Sequence, residues 1–198
     1  KFGSCRLLPD GEVDLTYGVN GFATMVGQSG SLRHNAVAMD AQYRLIFAGP
    51  RGVTIPNGNY LARMDSSGFA DSSFGVNGYV TIPSGMFNND FQDVVCHPNG
   101  SCYPLGFATG QPVNNAITIG RYFSNGDLDT TFGTGGLAVI ASSQSSQSSL
   151  DPSKILVDAQ GDLVIVGSAS VSPANDFLVG RMHPDGTLDT GLSPEGWR

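Results

Sequence analysis

The apolar residues of this chain occur in short runs separated by glycine, proline and small polar residues. Runs of about four to seven residues, such as FATMV from Phe22 and LAVIA from Leu137, have the length of β-strands. The chain has 27 glycines and 11 prolines among 198 residues, so they interrupt every stretch in which a long helix could form. The pattern therefore predicts an all-β protein.

The runs recur with a fixed period, marked by a polar and glycine-rich signature. The signature reads NGDLDTTFGTGG over residues 125–136, and related copies span 10–21, 67–78 and 185–196. The Asp that all four copies share is found at Asp14, Asp71, Asp129 and Asp189, with steps of 57, 58 and 60 residues. A period of this length indicates a repeat architecture in which each unit is one small structural module.

An Arg precedes each shared Asp by eight residues. These arginines are Arg6, Arg63, Arg121 and Arg181. Eight residues that include a tight turn bring two side chains to neighbouring positions on adjacent strands, where an Arg and an Asp form a charge-assisted hydrogen bond. We therefore interpret the eight residues as a structural signature of the repeat.

Four strand-like runs per period favour β-propeller blades of four antiparallel strands over solenoid coils or a sandwich. The predicted fold is one repeat domain over 1–198, an open or partial propeller of about three complete blades. The blades are predicted at 22–65, 79–123 and 137–183, with partial blade strands at 1–8 and 192–198. Because both ends fall inside a repeat, we expect further blades from the same longer chain, or else from partner chains.

Two stretches carry a resemblance to a known family. LDTTFGTGG at 128–136 and DAQGDLVIVG at 158–167 resemble the units of the delta-60 repeat family of bacterial propeller-like repeats, and the likeness extends over nearly the whole chain. The last copy departs from it, with Gly191 and Leu192 near the position of the aromatic residue. The resemblance implies an exported bacterial protein, secreted or in the cell envelope as a periplasmic or outer-membrane associated protein. It implies no catalytic residues.

Charge and hydropathy exclude several classes of function. The net charge is −7, only 14% of residues are charged, and no cluster of Lys and Arg is available to neutralise phosphates, so a nucleic-acid partner is not expected. No apolar stretch reaches the length of a membrane-spanning helix. The three histidines, His34, His97 and His183, occupy unrelated phases of the repeat, so we expect neither a shared metal site nor a catalytic triad. We therefore predict no enzyme activity, no metal and no cofactor.

The three cysteines divide into a pair and a single residue. Cys96 and Cys102 flank the turn HPNG and are expected to face each other across a hairpin. A disulfide and a pair of small buried apolar residues are both compatible with this placement. Cys5 corresponds to Ala62 and to glycines in other repeats, and is expected to be a small packing residue with a free thiol.

The connections between strands differ in variability. The connection from the fourth to the first strand and the turn from the second to the third strand are nearly constant in every repeat. The other two connections vary in length and composition. In an antiparallel meander these two classes emerge at opposite ends of the strands. Recognition normally resides in the variable loops, so the chain is predicted to be a structural or protein-interaction module that contacts other protein subunits. The candidate partner-binding residues are Arg33, His34, Arg51, Val53, Met86, Phe87 and Phe91.

Two alternatives to this interpretation stay open. Met86, Phe87 and Phe91 could instead fold back into a small core beneath their loop. The alternative function is a carbohydrate-binding or glycan-hydrolysing propeller, for which Asp90, Asp93 and Asp176 are the acids on the side of the variable loops.

Overall fold

The computed structural model describes residues 2–26, 34–50, 58–82, 91–108, 116–141, 149–171 and 174–193. The secondary structure of these residues consists of strands and turns. Among them there is no helix with the length and apolar character to cross a membrane. The strands are β1 Phe2–Cys5, β2 Phe22–Met25, β3 Ala36–Met39, β4 Leu45–Pro50, β5 Asn59–Met64, β6 Tyr79–Ile82, β7 Asp93–Cys96, β8 Cys102–Ala108, β9 Ala116–Gly120, β10 Leu137–Ile140, β11 Ser149–Val157, β12 Leu163–Val171 and β13 Ala174–Met182.

The strands form four separate antiparallel sheets in which neighbours along the chain are neighbours in space. The first sheet contains β1 and β2, the second β3 to β6, the third β7 to β10, and the fourth β11 to β13. The two complete sheets have four strands each, so the prediction of four-stranded antiparallel modules is confirmed. In the described part of the chain, no sheet closes on itself.

The predicted blade boundaries at 22–65, 79–123 and 137–183 are wrong by one strand. The strand that follows each of the first three signatures belongs to the same sheet as the strand before it. β6 pairs with β5, with Leu61 opposite Val80, and β2 pairs with β1 rather than with β3. The signature itself keeps the two strands together, because Arg63 N donates to Gly78 O at 2.9 Å across it. It is a compact connection between two strands of one sheet. The chain passes to the next sheet in the connections between β2 and β3, β6 and β7, and β10 and β11.

Each hydrophobic core lies between two consecutive sheets. Along β4, Ile46 and Ala48 face the third sheet, whereas Phe47 between them packs with residues of the first sheet. Side chains of successive strand residues point to opposite faces, so one strand contributes to two cores. The sheets are therefore stacked face to face in chain order.

The first strand of each four-stranded sheet is the one nearest to the neighbouring sheets. Asn35 Nδ2, just before β3, donates to Phe91 O at 3.1 Å, just before β7. In the same way Asp93 Oδ2 accepts from Ile155 N at 3.0 Å, and Asp93 Oδ1 lies 2.9 Å from Lys154 Nζ. These bonds join β3, β7 and β11 along an inner line, and β6 and β10 form the outer edges.

Candidate functional site

The four signatures are the most regular polar feature of the structure, and they lie at one end of the strands. In the first three, the Arg Nε donates to the Oδ2 atom of the Asp eight residues later. The distances are 2.8 Å for Arg6 and Asp14, 2.8 Å for Arg63 and Asp71, and 2.7 Å for Arg121 and Asp129. The predicted cross-strand contact is confirmed in these three repeats.

The other carboxylate oxygen of each Asp holds the turn that follows. Asp71 Oδ1 accepts from Ser73 N at 3.0 Å and from Ser73 Oγ at 2.6 Å, and Asp129 accepts from Thr131 in the same way. Burial alone would raise the pKa of Asp71, but the hydrogen bonds from Ser73 and the charge of Arg63 outweigh it and lower the pKa. The same balance, with Thr131 and Arg121, lowers the pKa of Asp129. Both groups are therefore stabilised as carboxylates.

The guanidinium also reaches into the next repeat. Arg6 Nη1 donates to Ser66 O at 2.9 Å, sixty residues further along the chain. Arg63 and Arg121 make the equivalent bonds, to Ser124 O and Pro184 O. A single Arg thus joins its own Asp to the turn of the following repeat.

A glycine makes a second bond between the same two repeats. Gly75 N donates to Asn125 O at 2.8 Å, and the equivalent bonds join Gly18 N to Ser67 O at 2.7 Å and Gly133 N to Asp185 O at 2.9 Å. The partner turns carry a glycine at positive φ in close contact with this amide. A Cβ on Gly186 would lie 2.6 Å from Gly133 N, so only glycine fits there. We call the Arg bond and the glycine bond together the inter-repeat clasp.

The aromatic residue of the signature packs against the Arg side chain of the clasp. Tyr17, Phe74 and Phe132 are buried, each in the core between its own sheet and the next. The guanidinium carbon of Arg63 lies 4.6 Å from the centre of the Phe74 ring, within cation–π range. The signature therefore contributes to the packing of one sheet on the next.

The fourth signature differs from the other three. Arg181 Nη2 contacts Asp158 Oδ2 at 2.9 Å and Asp162 Oδ2 at 2.8 Å, both in the turn between β11 and β12. Its Nε lies 3.7 Å from Asp189 Oδ2 and is a buried donor with no hydrogen-bond partner among the described residues. Leu192 stands where the other repeats have an aromatic ring, which agrees with the departure seen in the sequence.

The cysteine pair is oxidised in this structure. Cys96 and Cys102 are opposite each other in the β7–β8 hairpin and form a disulfide. Cys102 is buried in the core between the second and third sheets, so the bond lies within the scaffold. Cys5 is a free thiol and is exposed, which corrects its assignment as a packing residue.

The predicted partner-binding residues have different outcomes. Arg33, Arg51, Val53, Met86 and Phe87 lie outside the described residues. His34 is exposed, and its ring centre lies 5.3 Å from that of Phe2. Phe91 is fully buried in the core between the second and third sheets, so it is a packing residue and its assignment to a partner surface is wrong.

Of the candidate acids for glycan chemistry, the two that are described lie on different sheets. Asp93 is buried and bonded to Lys154 and Ile155, Asp176 is exposed on β13 in the fourth sheet, and Asp90 lies outside the described residues. The structure therefore assigns Asp93 to the junction between two sheets. Among the residues that are described, no three His, Cys, Asp or Glu side chains are close enough to hold a metal ion.

Sequence reasoning missed an apolar surface on the outer face of the fourth sheet. Phe177 is 91% exposed, and Leu156 and Val179 on the same face are 55% and 39% exposed. The equivalent residues of the third sheet, Ile117 and Ile119, are fully buried against the fourth sheet. We call Leu156, Val166, Phe177 and Val179 the outer apolar face.

Comparison with known families adds one match. A family model described as a domain of unknown function (DUF5122) beta-propeller matches residues 160–192, which run from the turn before β12 to the fourth signature. The chain folds as an open, partial β-propeller. No curated protein matches the chain.

In this open propeller the signatures hold neighbouring blades together, and the outer apolar face ends the stack of described blades. The matched stretch contains β12, β13 and the Arg181–Asp189 signature, so it comprises the elements that form the clasp in the other repeats. The match supports the architecture and does not specify an activity.

Proposed function

We propose that this propeller is a non-catalytic structural and protein-interaction module, a subunit or segment of a larger bacterial envelope or extracellular assembly. The observation that carries the proposal is the outer apolar face, where Phe177 is 91% exposed. Contiguous exposed apolar residues on a soluble surface mark sites of association. The surface that covers this face would be an apolar protein surface that packs on it as the fourth sheet packs on the third, supplied by a partner protein or by a further blade of the same longer chain.

The chemistry of the outer apolar face suits a protein partner. On adjacent strands Val166 lies directly opposite Val179, and Ser168 lies opposite Phe177. A flat apolar centre with an aromatic anchor has the composition of an interface core. His34, which lies against Phe2 of the first sheet, and the loop residues predicted from the sequence are retained as a second candidate contact surface, separate from the outer apolar face.

Two observations support the cellular location. The Cys96–Cys102 disulfide favours an oxidising compartment, since such bonds are rare in the cytosol. The Arg, Asp, aromatic and glycine signature agrees with the delta-60 repeats of exported bacterial proteins. We therefore propose that the chain is a member of that repeat family and that it is located in the periplasm, at the outer-membrane surface or in the extracellular space.

Site-specific photo-crosslinking tests the interaction. A benzophenone amino acid at position 177 is compared with the same group at Phe123, which is partly exposed on the third sheet away from the outer apolar face. The expected result is one protein captured from position 177 and not from 123, followed by binding of the purified protein that Phe177→Ala weakens at least about tenfold. Equal capture from both positions, or unchanged binding by the variant, would reject the proposal.

The second candidate function is carbohydrate binding. The exposed aromatic ring of Phe177 is also a platform on which a sugar ring can stack. A glycan array probed with the native chain and with Phe177→Ala separates the two functions. Glycan signals that disappear in the variant, without protein capture at 177, would favour the sugar.

A further inference from the structure

A histidine closes the turn that carries the clasp between the third and fourth repeats. This turn follows β13 and spans residues 183–187, and His183 N donates to Thr187 O across it at 2.8 Å. The two carbonyls that accept the clasp bonds from the third repeat, Pro184 O and Asp185 O, lie within the turn. A contact that fixes His183 therefore also fixes both acceptors of this clasp.

The imidazole ring of His183 contacts a neighbouring turn of its own sheet. His183 Nδ1 lies 3.1 Å from Asp162 Oδ1, and Asp162 is buried whereas the His183 side chain is 46% exposed. Histidine is the side chain whose charge ordinarily changes between about pH 5 and 8. The neutral ring shares at most a hydrogen bond with the carboxylate, whereas the protonated ring also forms an ion pair with it.

This pair is particular to the fourth repeat. Asp162 corresponds to Arg44 and Ser101 in the second and third sheets. Phe123, at the position of His183 in the third repeat, is 44% exposed although the fourth sheet packs on the third, so this position stays accessible when another sheet follows. The fold therefore does not require a histidine and a carboxylate at these two positions.

The charged groups around His183 come from three elements. They are Asp158, Asp162 and Arg181 of the fourth sheet, Asp185 of the turn itself, and Arg121 of the third repeat. Arg181 also approaches Asp189 Oδ2 at 3.7 Å, so carboxylates outnumber guanidinium groups here. Hydrogen bonds from Thr187 and the charge of protonated His183 lower the pKa of Asp185. A proton on His183 thus acts on the turn as well as on Asp162.

We propose that His183 is an acid-operated latch on the clasp between the third and fourth repeats. Protonation from solvent adds the ion pair with Asp162, which holds the turn and its two carbonyls against Arg121 and Gly133. Because only the protonated ring forms this pair in the folded chain, the contribution is complete in mild acid and is lost as the pH rises towards about 8. The inference concerns a contact inside the scaffold and does not rest on the proposed interaction with a partner.

Amide hydrogen exchange tests the latch within a single chain. Gly133 N makes the clasp bond to Asp185 O, and Gly75 N makes the same bond to Asn125 O between the second and third repeats. The readout is the protection factor of the Gly133 amide divided by that of the Gly75 amide, which cancels the effect of pH on exchange itself. This ratio is expected to be about twofold to fivefold higher at about pH 5.5 than at about pH 7.5, the effect of an exposed ion pair.

Three variants assign the effect to the pair. His183→Gln, and Asp162→Ser with the residue of the third repeat, should each remove the pH dependence of the ratio. His97→Gln is the matched control and should keep it, because the His97 ring belongs to the β7–β8 turn, where its Nδ1 accepts from Asn99 N at 3.1 Å. A ratio that does not change with pH in the native chain would overturn the proposal. So would a native pH dependence in either of the first two variants, or its loss in His97→Gln.

Discussion

Arg63 lies over the ring of Phe74 and donates to Asp71 at 2.8 Å, and the same guanidinium bonds to Ser124 O of the next repeat. One buried side chain therefore forms an ion pair and a ring contact within its own repeat and a hydrogen bond to a backbone carbonyl of the next repeat. A surface ion pair has a small effect on stability, whereas an ion pair that is buried and bonded into the chain has a large one if either partner is removed.

The effect of breaking the pair is expected to depend on burial. The Arg63 side chain is 2% exposed and that of Arg6 is 43% exposed, although both make the same contacts. We expect Arg63→Ala to lower the free energy of unfolding by about 3–5 kcal/mol and Arg6→Ala by about 0–1 kcal/mol. Urea unfolding of the two variants measures the difference. Equal losses would show that the clasp is not a buried structural bond.

Two glycines with the same backbone angle test the contact between repeats. Gly11 has φ +89° and Gly186 has φ +90°, so alanine is equally strained at both. A Cβ on Gly186 would lie 2.6 Å from Gly133 N, whereas a Cβ on Gly11 would have nothing within 4 Å. Gly186→Ala should therefore cost about 1–3 kcal/mol more than Gly11→Ala in thermal or urea unfolding. Identical losses would contradict the close approach of the two turns.

The period and the clasp differ in how far the sequence predicts them. The repeat, the Arg–Asp contacts and the four-stranded modules follow from spacing alone. Spacing does not predict which strand begins a sheet, because the distance between equivalent residues is the same wherever a repeat unit is taken to start. The bonds between repeats are made to backbone carbonyls such as Ser124 O. Every residue has such a carbonyl, so the sequence does not identify the acceptor. The glycine repeated in each partner turn is the one partial signal of this contact.

The solvent exposure of individual apolar side chains is the property that the sequence predicts least well. Phe177 and Ile117 occupy the same position in their strands, yet one is exposed and the other is buried. The strand pattern cannot distinguish them, since the burial of Ile117 comes from the fourth sheet that packs on it. Phe91 shows the converse, because an aromatic residue in a variable stretch is a core residue once the sheets are stacked.

The disulfide is expected to stabilise the scaffold moderately. Cys96 and Cys102 are only six residues apart, and closing so short a loop contributes about 2 kcal/mol in the chain-entropy description. The Cys96→Ala and Cys102→Ala double variant should lose this amount in urea unfolding. Thiol titration gives the matched check: one reactive thiol, Cys5, in the native chain and three after reduction and denaturation. Three reactive thiols without reductant would contradict the bond.

Acid should weaken the clasp through its carboxylates. The pKa values of Asp71 and Asp129 are lowered by folding, so both bind protons less readily in the folded state than in the unfolded chain, where the value is about 3.9. Their contribution to stability is complete above that pH and is lost as the pH falls through the folded values. Asp71→Asn should be less stable than the native chain at pH 7, with a smaller further loss below about pH 4. Parallel curves of stability against pH for the two chains would contradict this role.

The most direct measurement of the arrangement is a pair of proton contacts in a nuclear Overhauser spectrum of the labelled chain. The clasp predicts strong contacts from the amide proton of Gly75 to the α protons of Gly126, and from that of Gly133 to those of Gly186, together with contacts between β5 and β6. Absence of the glycine contacts, with β6 instead paired to β7, would contradict an open propeller in which each signature closes its own sheet and holds the next.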